Sequence, residues 1–225
     1  MIYNNAKSEE DNWVSTSDLM AGLMIIFLFI AIAYIKSIGQ EEKQAANDIC
    51  NQLESAFEDF KWRDRIEVCI EPLVVRFTDP ETLFERGSAS LTRDFQQMLE
   101  AFIPRYMSVV DSHQSQIGKI RIEGHTDDAW GNEQDPIAKF YNNMYLSQSR
   151  TYSVLHFSLQ QKELRKEPEW AIKHLESVGR SSSDPIVAEN GGVDHDRSRR
   201  VDFRIQLNIR AKRLGQLAGV DIATN

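Results

Sequence analysis

The chain has 225 residues, with 26 Lys and Arg against 34 Asp and Glu, so it is long enough for one medium-sized domain and a short additional segment. The net charge of -8 argues against a nucleic-acid-binding protein, because contacts to phosphate depend on a basic surface. Two cysteines are too few for a disulfide framework, and no CxxC or HExxH spacing marks a metal site.

The first predicted element is an apolar helix over residues 13–35, which follows a short tail of residues 1–12. Residues 19–35 carry no charge, and at ~1.5 Å rise per residue they cover about 25 Å. Together with the residues just before them they reach roughly the length that crosses a hydrocarbon core. One acid, Asp18, lies near the start of this span. Because an acid at the edge of a membrane helix is costly, Asp18 is a candidate functional residue.

Three alternatives compete with this interpretation. A cleaved signal peptide begins with a basic segment, whereas the first residues here carry Lys7 against Glu9, Glu10 and Asp11. A buried helix of a soluble protein needs apolar partners, yet this span is apolar on every face and nothing else in the chain is hydrophobic enough to surround it. Asp18 can also simply cap the helix, and the sequence alone leaves the cap and a functional role both open.

Residues 36–61 are predicted to form a polar helix that links the membrane span to the domain behind it. Its apolar residues recur at spacings of three and four, so they share one narrow stripe. Such a stripe is typical of a helix that pairs with its own copy, and we expect a two-chain seam in which Cys50 faces its twin. The alternative is that the stripe packs on the domain behind it. The stripe consists of Ala46, Ile49, Cys50, Leu53, Phe57 and Phe60.

Residues 62–210 are predicted to form one α+β domain, followed by a tail of residues 211–225. Alternation of apolar and polar residues from Arg65 to Phe77 predicts a strand pair or one kinked strand. Helical periodicity then predicts helices over residues 91–107 and from about 146 to 163, separated by a strand and a polar loop. The remaining strands are predicted at 119–124, 175–179 and 201–207, so helices should pack on a single sheet.

Four motifs in this domain follow one another in a specific order and spacing. They are Leu83-Phe84-x-x-Gly87-Ser88-Ala89, Gly124-His125-Thr126-Asp127 after a predicted strand, Asn143-x-x-Leu146-Ser147-x-x-Arg150 opening a predicted helix, and Arg199-Arg200-Val201. Together they resemble the OmpA-like peptidoglycan-binding domain, and the match covers about residues 65–207. The resemblance implies a βαβαβ-β domain that binds the bacterial cell wall.

The resemblance also implies a ligand, the diaminopimelate of the peptidoglycan stem peptide. Its side-chain end holds an ammonium and a carboxylate side by side, so a site needs an anion and a cation a few ångströms apart. By the motif match, Asp127 would meet the ammonium and Arg150 the carboxylate. Thr126 and Asn143 would extend the hydrogen bonding, and Arg199 would line the rim. The alternative is that Asp127 and Arg150 form a structural salt bridge at a strand end.

The layout of the whole chain resembles the MotB-type stator subunits, which join an acid-bearing membrane helix to an OmpA-like domain. The longer loop from Asp127 to Asn143, together with Asp128, also brings it closer to MotB than to the lipoproteins and porins. Ser198 stands where the family's motif before the last strand has an asparagine. The resemblance implies a homodimer inside a ring of a polytopic MotA-like partner, with Asp18 carrying H⁺ or Na⁺. It further implies a single-pass inner-membrane protein with a cytoplasmic N-terminus and a periplasmic domain, since the flanking charges alone do not decide orientation.

The short acidic tail and the apolar helix resemble MotB-like subunits of anti-phage defence systems more than flagellar ones. A flagellar stator subunit remains an alternative, as does a passive tether between membrane and wall that moves no ion. No hydrolytic constellation supports an enzyme, and no cofactor is expected. His125, Asp127 and Asp128 lie close enough in sequence to imitate a metal site, but no metal is expected either.

Overall fold

The computed structural model describes residues 3–85 and 87–209. The chain divides into two compact units, the first ending at Lys43 and the second beginning at Gln44. Helix α1 covers Tyr3–Ala56. From position 16 onward it is long and apolar enough, by length and composition, to cross a membrane, and its apolar side chains up to position 33 are exposed. The predicted tail of residues 211–225 lies outside the described residues.

The second unit is built on a five-stranded sheet in the order β1-β2-β5-β3-β4. Strands β1 (Ile66–Val68) and β2 (Val74–Phe77) form an antiparallel pair, so the predicted strand pair is confirmed. Strand β5 (Val201–Leu207) lies antiparallel between β2 and β3 (Ile117–His125). Strand β4 (Leu175–Ser181) runs parallel to β3 at the edge of the sheet. This mixed sheet confirms the predicted α+β class.

The helices of the second unit connect these strands. The longest are α3 and α4, and the side chain of Thr92 caps α3 by accepting a hydrogen bond from the backbone N–H of Phe95. The predicted helix over residues 91–107 is therefore present and continues by several residues. The helices are α2 (Pro80–Leu83), α3 (Arg93–Ser112), α4 (Pro136–Ser158), α5 (Lys162–Lys166), α6 (Pro168–His174) and α7 (His195–Ser198).

Helix α4 begins well before the position predicted from the sequence, which was about Leu146. The carboxylate of Asp135 caps it by accepting hydrogen bonds from the backbone N–H groups of the next turn, and Pro136 occupies its first position. The first turns of α4 have no buried apolar stripe, because Ile137 is 77% and Tyr141 70% exposed. Periodicity therefore could not reveal this part of the helix, although the Asp-Pro cap could have.

Aromatic side chains dominate the core between the sheet and helix α3. The ring of Phe102 lies 4.9 Å from that of Phe77 and 5.0 Å from that of Phe203, measured between centroids. Phe57, which directly follows α1, stacks on the same ring at 5.1 Å. Such pairs each add about 0.5–1.5 kcal/mol beyond the burial of their surface. The residues just after α1 thus belong to the core of the domain.

The apolar stripe near the end of α1 packs into this same core. Ile49, Leu53 and Phe57 are fully buried within the domain. Cys50 forms a disulfide with Cys69, which lies in the turn between β1 and β2, with 5.8 Å between the Cα atoms. The predicted two-chain seam at Cys50 is therefore wrong, because the core of the same chain covers the stripe and the thiol has an intramolecular partner.

We expect the Cys50→Ser variant to have a free energy of unfolding about 3 kcal/mol lower than the wild type, since the disulfide closes a loop of this length in the unfolded chain. Urea denaturation with and without reductant measures this. Reductant should lower the stability of the wild type and leave the variant unchanged. A disulfide-linked dimer on a non-reducing gel, or labelling of both thiols in the wild type, would contradict the assignment.

Candidate functional site

A cleft of about 960 Å³ opens where strand β3 ends. The loop after β3, helix α4 and the segment leading into β5 all contribute to it. All five residues predicted for wall binding line this cleft: Thr126, Asp127, Asn143, Arg150 and Arg199. The structure thus brings together residues that are far apart in sequence. The other lining residues are Phe84, Gly87, Ala129, Trp130, Gly131 and Leu146.

Helix α4 reaches the cleft because it lies unusually close to the sheet. A Cβ atom on Gly124 would lie 2.6 Å from Cγ2 of Thr151, and one on Gly179 would lie 2.7 Å from the backbone nitrogen of Gln148. Neither distance is tolerated by real side chains, so both positions require glycine. This close contact places Arg150, on α4, next to the residues that follow β3.

Arg150 is a largely buried cation held mainly through one of its nitrogens. Its Nε donates a hydrogen bond of 3.0 Å to the carbonyl of Ser88, and its guanidinium lies 4.8 Å above the ring of Phe84. Gly87, at φ 68°, makes the turn that presents this carbonyl. Burial, followed by repulsion from Arg199, lowers the pKa of Arg150. In the described part of the chain no carboxylate forms an ion pair with Arg150, so it is suited to bind an external anion.

Asp127 forms its ion pair with Arg199 and not with Arg150. Its Oδ2 accepts a hydrogen bond of 2.7 Å from Nη1 of Arg199, and its Oδ1 accepts one of 3.2 Å from the backbone N–H of Ala129. Arg199 also pairs with Asp196 at 2.5 Å. Burial alone would lower the pKa of Arg199, but these two carboxylates raise it above its usual value. The predicted alternative of an Asp127–Arg150 salt bridge is therefore not what the structure shows.

Thr126 and Asn143 have different roles in the cleft. Thr126 is only 3% exposed, and its hydroxyl oxygen has no hydrogen-bond partner within the described residues. The amide of Asn143 donates a hydrogen bond of 3.2 Å to the carbonyl of Ala129. Asn143 therefore holds the loop that carries Trp130, whereas Thr126 lies in the lining of the cleft with a hydroxyl oxygen that is itself buried.

A buried cluster of ions lies on the other side of the same segment, and sequence reasoning missed it. Asp202 is fully buried and accepts two hydrogen bonds of 2.9 Å from Arg76 and one of 3.2 Å from Arg200. Arg200 also pairs with Asp184 at 3.0 Å. Adjacent residues of an extended chain point in opposite directions, so Arg199 faces the cleft while Arg200 enters the cluster. The alternation of charged and apolar residues through β5 is the sequence signal that could have revealed this cluster.

Ser198 replaces the asparagine that the resembled motif has at this position. It is fully buried, and its hydroxyl accepts a hydrogen bond of 2.9 Å from the backbone N–H of Ile186 and donates one of 2.6 Å to the carbonyl of Asp194. The serine thus ties together the loop before β5, and the substitution leaves Arg199 in place at the cleft.

Comparison with known proteins adds four similarities. The OmpA family matches residues 83–199. The chain is 40% identical over 215 residues to Zorya protein ZorB of Escherichia coli strain ATCC 8739, covering 90% of this chain and 91% of that protein. It is 25% identical to the Zorya protein ZorB of E. coli O139:H28, covering 89% and 82%. Its fold resembles a MotB-like protein from Desulfovibrio vulgaris, with a TM-score of 0.53 and 23% identity over 74% of this chain and 94% of that one.

The buried His125 should make the stability of the domain depend on pH. Neither of its ring nitrogens has a hydrogen-bond partner among the described residues, and burial, reinforced by the charge of Arg200, lowers its pKa from 6.5 to about 3. Between these values the unfolded chain binds a proton that the folded one does not, so stability falls as the pH falls. From about pH 6 to pH 5 we expect the wild type to lose about 1.4 kcal/mol more per pH unit than His125→Gln in urea denaturation. Parallel curves would contradict a neutral buried histidine.

Proposed function

This chain belongs to the ZorB family and contains an OmpA-family domain, and we propose that it is the ion-driven, wall-anchored stator subunit of a Zorya anti-phage complex. In this proposal it is an anchoring and transport subunit and not an enzyme. The observation that carries the anchoring role is the cleft, in which Asp127, Arg150 and Arg199 bring one carboxylate and two guanidinium groups into one partly buried space.

The cleft suits the diaminopimelate of the peptidoglycan stem peptide. The terminal nitrogens of Arg150 can form a forked pair with the ligand carboxylate, because only its Nε is engaged by Ser88. The carboxylate of Asp127 can accept hydrogen bonds from the ligand ammonium. The hydroxyl of Thr126 supplies a further hydrogen-bonding group. Phe84 and Trp130 form apolar walls for the rest of the peptide.

The second part of the proposal concerns Asp18, the one charged residue between positions 16 and 35. A single acid at such a place in a membrane helix is costly unless partner helices line a polar path around it. We infer a ring of a polytopic MotA-like partner around two copies of this chain. Asp18 would then take up H⁺ or Na⁺ on one side of the membrane and release it on the other.

The disulfide supports the orientation of the chain in the membrane. Bonds of this kind persist in oxidising compartments such as the bacterial periplasm and are rare in the cytosol. Because Cys50 and Cys69 both belong to the second unit, that unit is assigned to the periplasm. The N-terminus is then cytoplasmic, and the chain crosses the inner membrane once.

Wall binding can be tested with a soluble fragment that starts at Gln44, since a later start would remove Cys50 and buried core residues. We expect Asp127→Asn and Arg150→Gln each to weaken retention on purified cell wall about tenfold or more, because each loses a charged hydrogen-bond partner. Arg197→Gln is the matched control, as Arg197 pairs with Glu67 outside the cleft. Equal retention of all four proteins would count against the cleft.

Ion carriage is tested by Asp18→Asn in cells that express the complete defence system. Asparagine has nearly the same shape but cannot exchange a proton or hold a cation by charge, so we expect loss of phage resistance with membrane insertion and wall binding unchanged. Asp18→Glu, which keeps the carboxylate, should retain part of the resistance. Full resistance of the Asp18→Asn strain would leave only the passive tether between membrane and wall.

A further inference from the structure

The carboxylate of Asp127 is already occupied in the ligand-free cleft. Arg199 donates to Oδ2 at 2.7 Å, and the backbone N–H of Ala129 donates to Oδ1 at 3.2 Å. The side chain of Asp127 is only 14% exposed, so this ion pair is sheltered from water. An incoming ammonium therefore does not meet a free anion, and it must compete with a guanidinium that is already bound.

Arg199 has a second carboxylate to which it can turn. Asp196 accepts from its Nη2 at 2.5 Å and is 83% exposed, so Arg199 connects a sheltered carboxylate with one in solvent. If a ligand displaces Arg199 from Asp127, the guanidinium keeps its contact with Asp196. The displaced Nη1, however, needs a new acceptor, and a ligand carboxylate next to the ammonium would supply one.

Arg150, the other cation of the cleft, also favours a ligand that brings a carboxylate together with its ammonium. Arg150 has no carboxylate partner in the described part of the chain, and its pKa is lowered by burial and by the nearby Arg199. A carboxylate placed between Arg150 and Arg199 would relieve this repulsion. A ligand with an ammonium alone would separate Asp127 from Arg199, so that Arg199 would keep only the exposed Asp196 and Arg150 would still have no carboxylate partner among the described residues.

We propose, building on the wall-binding function above, that Arg199 is the specificity-determining residue of the cleft. It makes the site select a side-chain end that carries an ammonium and a carboxylate together, and reject an ammonium alone. Binding is an exchange of ion pairs: the ligand ammonium replaces Arg199 on Asp127, and the ligand carboxylate bridges Arg199 and Arg150. Arg199 thus acts as an internal competitor that only a zwitterionic ligand can satisfy.

The test compares two synthetic stem tripeptides that differ in the third residue, meso-diaminopimelate in one and lysine in the other. Calorimetric titration of the full chain in detergent gives both dissociation constants. We expect the wild type to prefer the diaminopimelate peptide about tenfold or more. In Arg199→Gln the lysine peptide should bind about tenfold more tightly than it binds the wild type, so that the preference largely disappears.

Two further variants keep the result interpretable. In Asp196→Asn, Arg199 has only Asp127 as partner, so binding of the lysine peptide should weaken further, opposite to the effect of Arg199→Gln. Asp196 is exposed, so this variant is not expected to disturb folding. In Arg197→Gln, which removes a cation outside the cleft, the ratio of the two affinities should equal that of the wild type.

The possible failures point to different causes. If Arg199→Gln kept the wild-type ratio of the two affinities, or weakened the binding of both peptides equally, the specificity role of Arg199 would be overturned. The wall-binding function would be left intact. In that case Arg199 would be only an additional contact. If the wild type bound neither peptide and Asp127→Asn did not change retention on cell wall, the wall-binding function itself would fail and the inference with it.

Discussion

The close contact of helix α4 with strands β3 and β4 is the constraint on which the cleft depends. Gly124 and Gly179 leave room for the helix backbone, and hydrogen bonds that involve side chains then fix it to β4. The side chain of Gln148 accepts from the N–H of Gly179 at 2.7 Å, and the hydroxyl of Ser147 accepts from the N–H of Ser181 at 3.1 Å. These bonds satisfy part of the open edge of the sheet, which otherwise invites pairing with another chain. The same close packing holds α4 in the position where its polar face meets the end of β3.

The buried cluster of Arg76, Arg200 and Asp202 fixes the side of the cleft that carries Arg199. Burying charges costs free energy, so a cluster of this kind is weak evidence for added stability. Its geometric effect is clearer, because Asp202 receives hydrogen bonds from Arg76 and Arg200 and thereby sets the path of the chain just before β5. Arg199 directly precedes Arg200, which is held in this cluster. Its guanidinium is therefore presented to Asp127 by a backbone that cannot easily shift, whereas its long side chain can.

The sequence was enough to predict the residues of the cleft but not how they pair. Thr126 and Asp127 directly follow a strand, and Asn143 and Arg150 lie roughly two helical turns apart, so their positions follow from local structure. The pairing of Asp127 with Arg199, 72 positions away, depends on how the loops close over the sheet. The disulfide was missed because the stripe that contains Cys50 fits a two-chain seam and an intrachain core equally well. The early start of α4 was missed because its first turns face solvent.

The disulfide also bears on how the domain would carry a mechanical load. Tension that enters the second unit along α1 meets Cys50 soon after Gln44 and crosses the covalent bond to Cys69, at the turn between β1 and β2. The segment between the two cysteines is bypassed and need not stretch. The pull therefore reaches a sheet in which β2 is bonded to β5, and β5 leads back to Arg199 at the cleft. The covalent bond thus keeps the part of α1 that lies in the second unit joined to the sheet, even if the segment between the two cysteines were to unfold.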